Sequence, residues 1–329
     1  MPGAPWRRDR CSHAQLARKL AIFPRNISYT SKRQKKARRP FFSGRENMAA
    51  YDTSAALAKV EDRSAAVDLK PRQMHNLIKA SLIQRFAGDK VLDLACGRGG
   101  DLAKYTKTQS YVGIDMSPDS IAEAKTRAAG VPMQTEFEVQ DITSLEMDRF
   151  EAGSLDTVSC MFALHYLWGR VEHMDKLLRQ INTWLKPGGY FIGIIPDAES
   201  VMDCAAEALL SFATNKYQHP LFSLEFGSAI HNTMLYSKPP VSKWGMSYFF
   251  NLTGSKLVQN SLEYLVPMPE FVTLAGVHNL RLVDSDNLRS YYYKRELDSL
   301  KRSMKFDGKL SLVEWRLCAM YRTFVFQKI

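Results

Sequence analysis

Short apolar runs alternate along most of this chain with segments whose apolar positions recur at helical spacing. The first periodic segment is Arg72–Phe86. There Met74, Leu77, Ile78, Ser81, Leu82 and Arg85 form one stripe, and His75 and Lys79 share another face with Asn76 one step round. Beyond it the pattern predicts a strand over 90–95, a helix over 101–108, a strand over 110–115 and a helix over 118–128. Strands over 135–140 and 155–161 follow, then a helix over 172–185 with Met174, Leu177, Leu178, Ile181, Trp184 and Leu185 on one face, then a strand over 190–195. Such alternation implies an α/β fold with a doubly wound, mostly parallel, Rossmann-like sheet. Residues 200–265 break the rhythm, and alternations such as MSYFFNL predict an antiparallel insertion after the fifth strand. Pro269–Leu280 returns as a helix and Met320–Gln327 as a closing strand.

The stretch VLDLACGRGGDL, Val91 to Leu102, combines a buried-type strand with a turn of small residues. Gly97, Gly99 and Gly100 let the backbone turn sharply and let a nucleotide-like group approach the main chain. Two cofactors compete for such a loop. Ala95-x-Gly97-x-x-Gly100 satisfies a loose dinucleotide pattern, which is weak evidence alone. Asp93 would repel a pyrophosphate but suits a ligand with a cationic amino group, such as S-adenosylmethionine. Asp115 closes the next strand, where an acid takes a ribose diol in either case. LKPGGYFIGIIP, Leu185 to Pro196, favours the methyltransferase reading, because a helix stopped by Pro-Gly-Gly before an apolar strand is commoner there.

The 329 residues are 45% hydrophobic and 24% charged, ordinary values for a globular chain. No run approaches the roughly 18 apolar residues that cross a bilayer, so no membrane role is expected. Cys11, Cys96, Cys160, Cys204 and Cys318 are scattered and lack C-x-x-C spacing, which argues for a reducing compartment and against a metal site. Charge is uneven. Residues 1–50 carry thirteen basic side chains against two acidic ones, while residues 51–329 hold 32 of each sign. The first fifty residues therefore read as a disordered basic arm ahead of a folded domain over 51–329. Its cluster SKRQKKARR, Ser31 to Arg39, suits nuclear import or a phosphate-binding tail; a mitochondrial presequence is an alternative, and Met48 an alternative start.

Asp141, after the third strand, is placed to meet an adenine amine, and MFALHYLW sets His165 beside Tyr166 after the fourth. As a whole the chain from about Asp68 onward resembles the mRNA cap guanine-N7 methyltransferases. The resemblance rests on HNLIKASLI, LDLACGRGGDLAK, FALHY, GGYFIGIIPD, FGSAIHN, VPMPEF and EWRLCAMYRTFVFQ, in the family's order. It implies that Lys79, Ala95, Asp115, Asp141, Met161 and Tyr166 contact the methyl donor. It implies cap contacts from His75 and Asn76, phosphate contacts from Arg98, Lys104 and Arg127, and a guanine site at His165, Glu270 and Tyr321. No residue is implied as an acid–base catalyst and no metal is expected; His165, Glu270 and Tyr321 are the nearest candidates.

The chain departs from the family at Ala95 and Ser228, where glycine and asparagine are usual, and at His75, Arg98 and Met161, which replace asparagine, lysine and glutamine. The expected reaction is methyl transfer from S-adenosylmethionine to guanine N7 of a 5′-capped RNA, by a nuclear monomer, with other capping or transcription machinery as further partners. A methyltransferase of another acceptor and a non-catalytic cap-binding subunit are the alternatives.

Overall fold

The computed structural model describes residues 69–236, 243–254 and 258–329. The basic arm, Ser31–Arg39 and Met48 lie outside the described residues.

Helix α1 (Leu69–Phe86) buries Met74, Leu77, Ile78, Ser81 and Leu82 of the stripe that its periodicity marks, while Arg85 is exposed. It leads into β1 (Lys90–Leu94), β2 (Ser110–Asp115), α2 (Pro118–Ala128), β3 (Gln134–Val139), β4 (Leu155–Met161), α3 (Val171–Trp184) and β5 (Leu185–Pro196). These five strands run parallel in the order β5-β4-β1-β2-β3. The order reverses direction at β1, so the crevice beyond its carboxyl end is where an open α/β sheet takes a ligand. Val91, Leu92 and Leu94 are almost fully buried, as a strand covered by helices on both faces requires. At the start of β5 the Pro-Gly-Gly turn shifts the register against β4. A Cβ on Gly189 would lie 2.9 Å from the Lys186 carbonyl and 3.0 Å from that of Asp156, so only glycine fits.

The insertion begins with a helix that the sequence pattern did not reveal, α4 (Ala198–Phe212), capped by Asp197. Its antiparallel character is as expected: β6 (Lys216–Gln218), β7 (Phe222–Phe226), β8 (Ser247–Leu252) and β9 (Ser261–Tyr264) form a second sheet, with α5 (Ser228–Tyr236) between β7 and β8. Helix α6 (Met268–Val277) is shorter than the predicted 269–280, because the chain turns through Asn279 at φ +56° and continues as β10 (Leu280–Asp284). Three short helices follow, α7 (Leu288–Tyr291), α8 (Asp298–Ser303) and α9 (Leu312–Cys318), and then β11 (Tyr321–Lys328). β11 lies antiparallel between β5 and β10, completing seven strands.

One expected element is absent. The helix over 101–108 is only a single 3₁₀ turn, Leu102–Lys104. Tyr105 leaves helical geometry there, its ring buried edge-on against Tyr111 and its hydroxyl 2.9 Å from Ser159 Oγ. With one 3₁₀ turn here there is no long helix whose N-terminus could favour an anion at this loop.

Candidate active site

After β1 the backbone passes through Ala95 at φ +56°, Gly97 at +54° and Gly99 at +67°. Two of these left-handed positions are free for glycine, whereas Ala95 pays a steric cost of about 1 kcal/mol. Phe162, directly after β4, holds φ +61° at the same sheet edge. Strained non-glycine residues at one edge mark a place where the surroundings impose geometry for function. At Gly99 the φ of +67° strains any side chain, and a Cβ there would also sit 2.7 Å from Leu102 Cδ1 and 3.2 Å from Ala124 Cα.

Asp115 ends β2 with its carboxylate drawn over this turn. Its Oδ2 accepts from the Gly97 amide at 2.8 Å and its Oδ1 from the Ser117 amide at 2.9 Å. Asp141 follows β3 and caps the next 3₁₀ turn, Oδ1 accepting from both the amide and the hydroxyl of Thr143. Met161 is half-buried at the end of β4, its backbone paired with Ile194. Tyr166 is 43% exposed, with its hydroxyl 3.1 Å from Ser261 Oγ on β9.

Asp93 lies on β1 just before the Gly97 turn and is buried. Tyr111 donates to Oδ2 and Ser159 to Oδ1, both at 2.7 Å, which ties β1 to its two neighbours. Burial pushes this carboxyl up to about 7, against the opposing effect of those two hydrogen bonds. The folded protein therefore holds a proton that the unfolded chain releases near pH 4, and stability falls as pH rises from roughly 4 to about 7. Replacing Asp93 with Asn is expected to flatten that slope in thermal melts. An unchanged slope would refute the assignment.

The predicted phosphate contacts fall into two ion clusters. Asp101 accepts from Lys79 at 2.8 Å and from Lys104 at 2.6 Å, so a residue assigned to the donor and one assigned to phosphate share one carboxylate. Burial disfavours ionisation of Asp101, but the two ammonium groups outweigh it and hold the carboxyl below its usual range. Across Gly100, Arg98 and Arg127 both pair with Glu123 on α2. Asp101 and Glu123 were not singled out by sequence. Each is the acid that orders a predicted pair of cations, a role no linear motif carries.

His75, Phe162 and Tyr321 form an aromatic cluster. The His75 ring lies 5.3 Å from the rings of Phe162 and Tyr321, which are themselves 5.1 Å apart. Burial, reinforced by the charges of Lys79 and Arg72, lowers His75 to about 3, so its imidazole is neutral at working pH. Its Nε2 is buried without a hydrogen-bond partner. Asn76 is half-buried on the next position of α1. Tyr321 opens β11 opposite Pro196, at the carboxyl end of β5.

His165 is 2% exposed, its ring 4.2 Å from that of Tyr166 at a 41° tilt, and both of its nitrogens lack hydrogen-bond partners. The carboxylate it faces is Glu263 on β9, 3.7 Å from Nε2 and beyond direct hydrogen-bond reach. Glu263 accepts from the Tyr248 hydroxyl at 2.8 Å, and burial together with that carboxylate raises Tyr248 well above its usual value. Glu270 sits in the first turn of α6 and accepts from Lys243. The neighbouring Phe271 turns into the main core. The P-E-F tripeptide drew attention to Glu270. Sequence reasoning missed Glu263, whose signal is a charged residue at the inward register of SLEYLV, since a buried carboxylate persists only with partners.

Residues 43–329 match the mRNA (guanine-N(7))-methyltransferase domain. The mRNA cap guanine-N(7) methyltransferase 1 of Arabidopsis thaliana is 30% identical over 296 residues, covering 82% of this chain and 77% of its own length. The mRNA cap guanine-N(7) methyltransferase of Saccharomyces cerevisiae is 28% identical, covering 74% and 58%. Among solved structures, the CcbJ methyltransferase of Streptomyces caelestis superposes with a TM-score of 0.50 at 14% identity, over 86% of this chain and 98% of that one, a likeness of fold. On the match of the domain across nearly all of its length, this chain belongs to the mRNA (guanine-N7)-methyltransferase family.

Proposed function

We propose that this protein transfers a methyl group from S-adenosylmethionine to guanine N7 of the 5′ GpppN cap of mRNA. The observation that carries the reading is the buried, unpartnered His165 facing Glu263 at the sheet edge that also holds the Gly97 turn and Asp115. Orphaned polar atoms in a buried wall call for a ligand that supplies the missing hydrogen bonds. A guanine does so: its N1–H and exocyclic amine donate to a carboxylate, and His75, Phe162 and Tyr321 offer ring surfaces. We assign the carboxylate role to Glu263, which faces His165, in preference to Glu270, which accepts from Lys243.

Guanine N7 carries a free lone pair at neutral pH, so no residue has to remove a proton. The sulfonium donor supplies an electrophilic methyl; the residues of this chain supply alignment and exclude water. Lys79, the Ala95 backbone, Asp115, Asp141, Met161 and Tyr166 hold the donor in this reading. His75, Asn76, His165, Glu263 and Tyr321 hold the base, and Arg98, Lys104 and Arg127 face the triphosphate bridge. The two clusters suit that bridge, since an arriving phosphate can take cations that Asp101 and Glu123 keep in place. Nuclear location is supported by the Ser31–Arg39 cluster, and a monomer is the state we propose.

Transfer of labelled methyl to GpppG, compared with uncapped RNA and small amines, tests the reading. Strong preference for GpppG is the expected outcome, and equal labelling of uncapped RNA would reject it.

A further inference from the structure

The segment between β10 and β11 has no role in the site above, yet it carries the clearest aromatic and cationic surface among the described residues. Residues 287–316 hold eight basic and four acidic side chains, although residues 51–329 as a whole are balanced. Tyr293 is 67% exposed and lies nearly parallel to the Trp315 ring, 16° apart in plane with centroids at 6.0 Å. Tyr292 braces Trp315 edge-on at 5.2 Å and itself receives Lys301 Nζ over its face at 4.1 Å. Phe306 closes the cluster at 6.0 Å from Tyr292, and the flanking Lys305 and Lys309 are exposed, as is Arg302 on α8. Several cations here serve the fold, such as Lys294 on Asp284 and Arg316 on Glu207. Among the described residues Arg302, Lys305 and Lys309 have no acidic partner within ion-pair distance.

This platform adjoins the base-binding wall. Helix α9 carries Trp315 and runs directly to Tyr321, and Lys70 at the start of α1 donates to the Lys309 carbonyl at 2.6 Å. His75, Asn76 and Lys79 follow over the next two to three turns of α1. Exposed rings with interleaved cations recognise single-stranded nucleic acid, because any base can stack on a ring while phosphates meet the charges. We propose that Tyr293 and Trp315, with Arg302, Lys305 and Lys309, bind the first nucleotides of the capped transcript beyond its triphosphate bridge. The proposal rests on the cap-methyltransferase reading. A protein partner on the same surface is the competing occupant, disfavoured by the net positive charge and by the open face of Tyr293.

The test compares two acceptors in the full chain: the GpppG dinucleotide, and a GpppG-capped RNA of roughly fifteen nucleotides. For the unaltered protein the capped RNA is expected to show a KM about tenfold below that of the dinucleotide. Tyr293→Ala is expected to remove most of that advantage with kcat unchanged and GpppG kinetics unchanged. The exposed ring makes loss of folding a minor concern, and matching thermal melts would confirm it. Arg302→Ala with Lys305→Ala should reduce the salt dependence of capped-RNA binding by a slope of about 1.4. Equal KM for both acceptors, or a Tyr293→Ala variant with unaltered capped-RNA KM, overturns the platform and points to a protein partner. Failure of the unaltered chain to methylate GpppG at all would instead reject the cap reading itself.

Discussion

Glu263→Gln is expected to lower kcat/KM for GpppG by at least about a hundredfold, since two hydrogen bonds from guanine to an ionised acceptor are lost or weakened. The glutamine keeps one oxygen for the Tyr248 hydroxyl, so β8 and β9 should stay paired and thermal melts should change little. Donor affinity, measured by calorimetry, should not move. Glu270→Gln is the matched control. It breaks a contact with a lysine that is more than half exposed and should change turnover by less than about twofold. The reverse result, with Glu270→Gln inactive and Glu263→Gln active, would return the base-reading role to the helix.

Asp115→Ala should act on the other ligand. It removes the carboxylate that spans the Gly97 and Ser117 amides, leaving both donors without acceptors and any ribose diol without a partner. A loss of donor affinity of about a hundredfold is expected, with binding of GpppG in the absence of donor nearly intact. Asp115→Asn preserves one acceptor oxygen and should fall between the two. If the alanine variant bound S-adenosylmethionine normally, the donor could not lie along the carboxyl end of β2.

The parallel core was legible because its strands are continuous apolar runs with helical periods between them, and Val91–Leu94 or Tyr190–Ile195 admit few other readings. The same periodicity failed where tertiary contacts overrule it. Leu102–Thr108 looks helical, but burial of Tyr105 and the hydrogen bond from Thr108 Oγ1 to the Gly88 carbonyl pull the chain toward β2 after one turn. β10 was hidden because its residues continue an apolar helix, and only the left-handed Asn279 separates the two. Helix α4 was obscured by the expectation of strands throughout the insertion. At the site, residues on sheet ends were readable from motif order. The carboxylates that act across elements were not: Glu263 reaches His165 from a strand of the second sheet, and Asp101 joins cations from α1 and the donor turn. Such pairings depend on how two sheets meet, which a linear pattern does not encode.

The position of β11 between β5 and β10 has a kinetic consequence. Its partners on β5 lie 125 to 137 residues away in sequence, from the pairing of Tyr321 with Pro196 to that of Gln327 with Tyr190. Contacts of such long range form late, after local ones have repaid the entropy of drawing the chain together. An early intermediate would already possess β1, β2 and the turn over which Asp115 reaches, but it would lack the ring of Tyr321. Competence to hold nucleoside would thus precede competence to hold the transcript, and the second would appear only as β11 zips into its slot between β5 and β10.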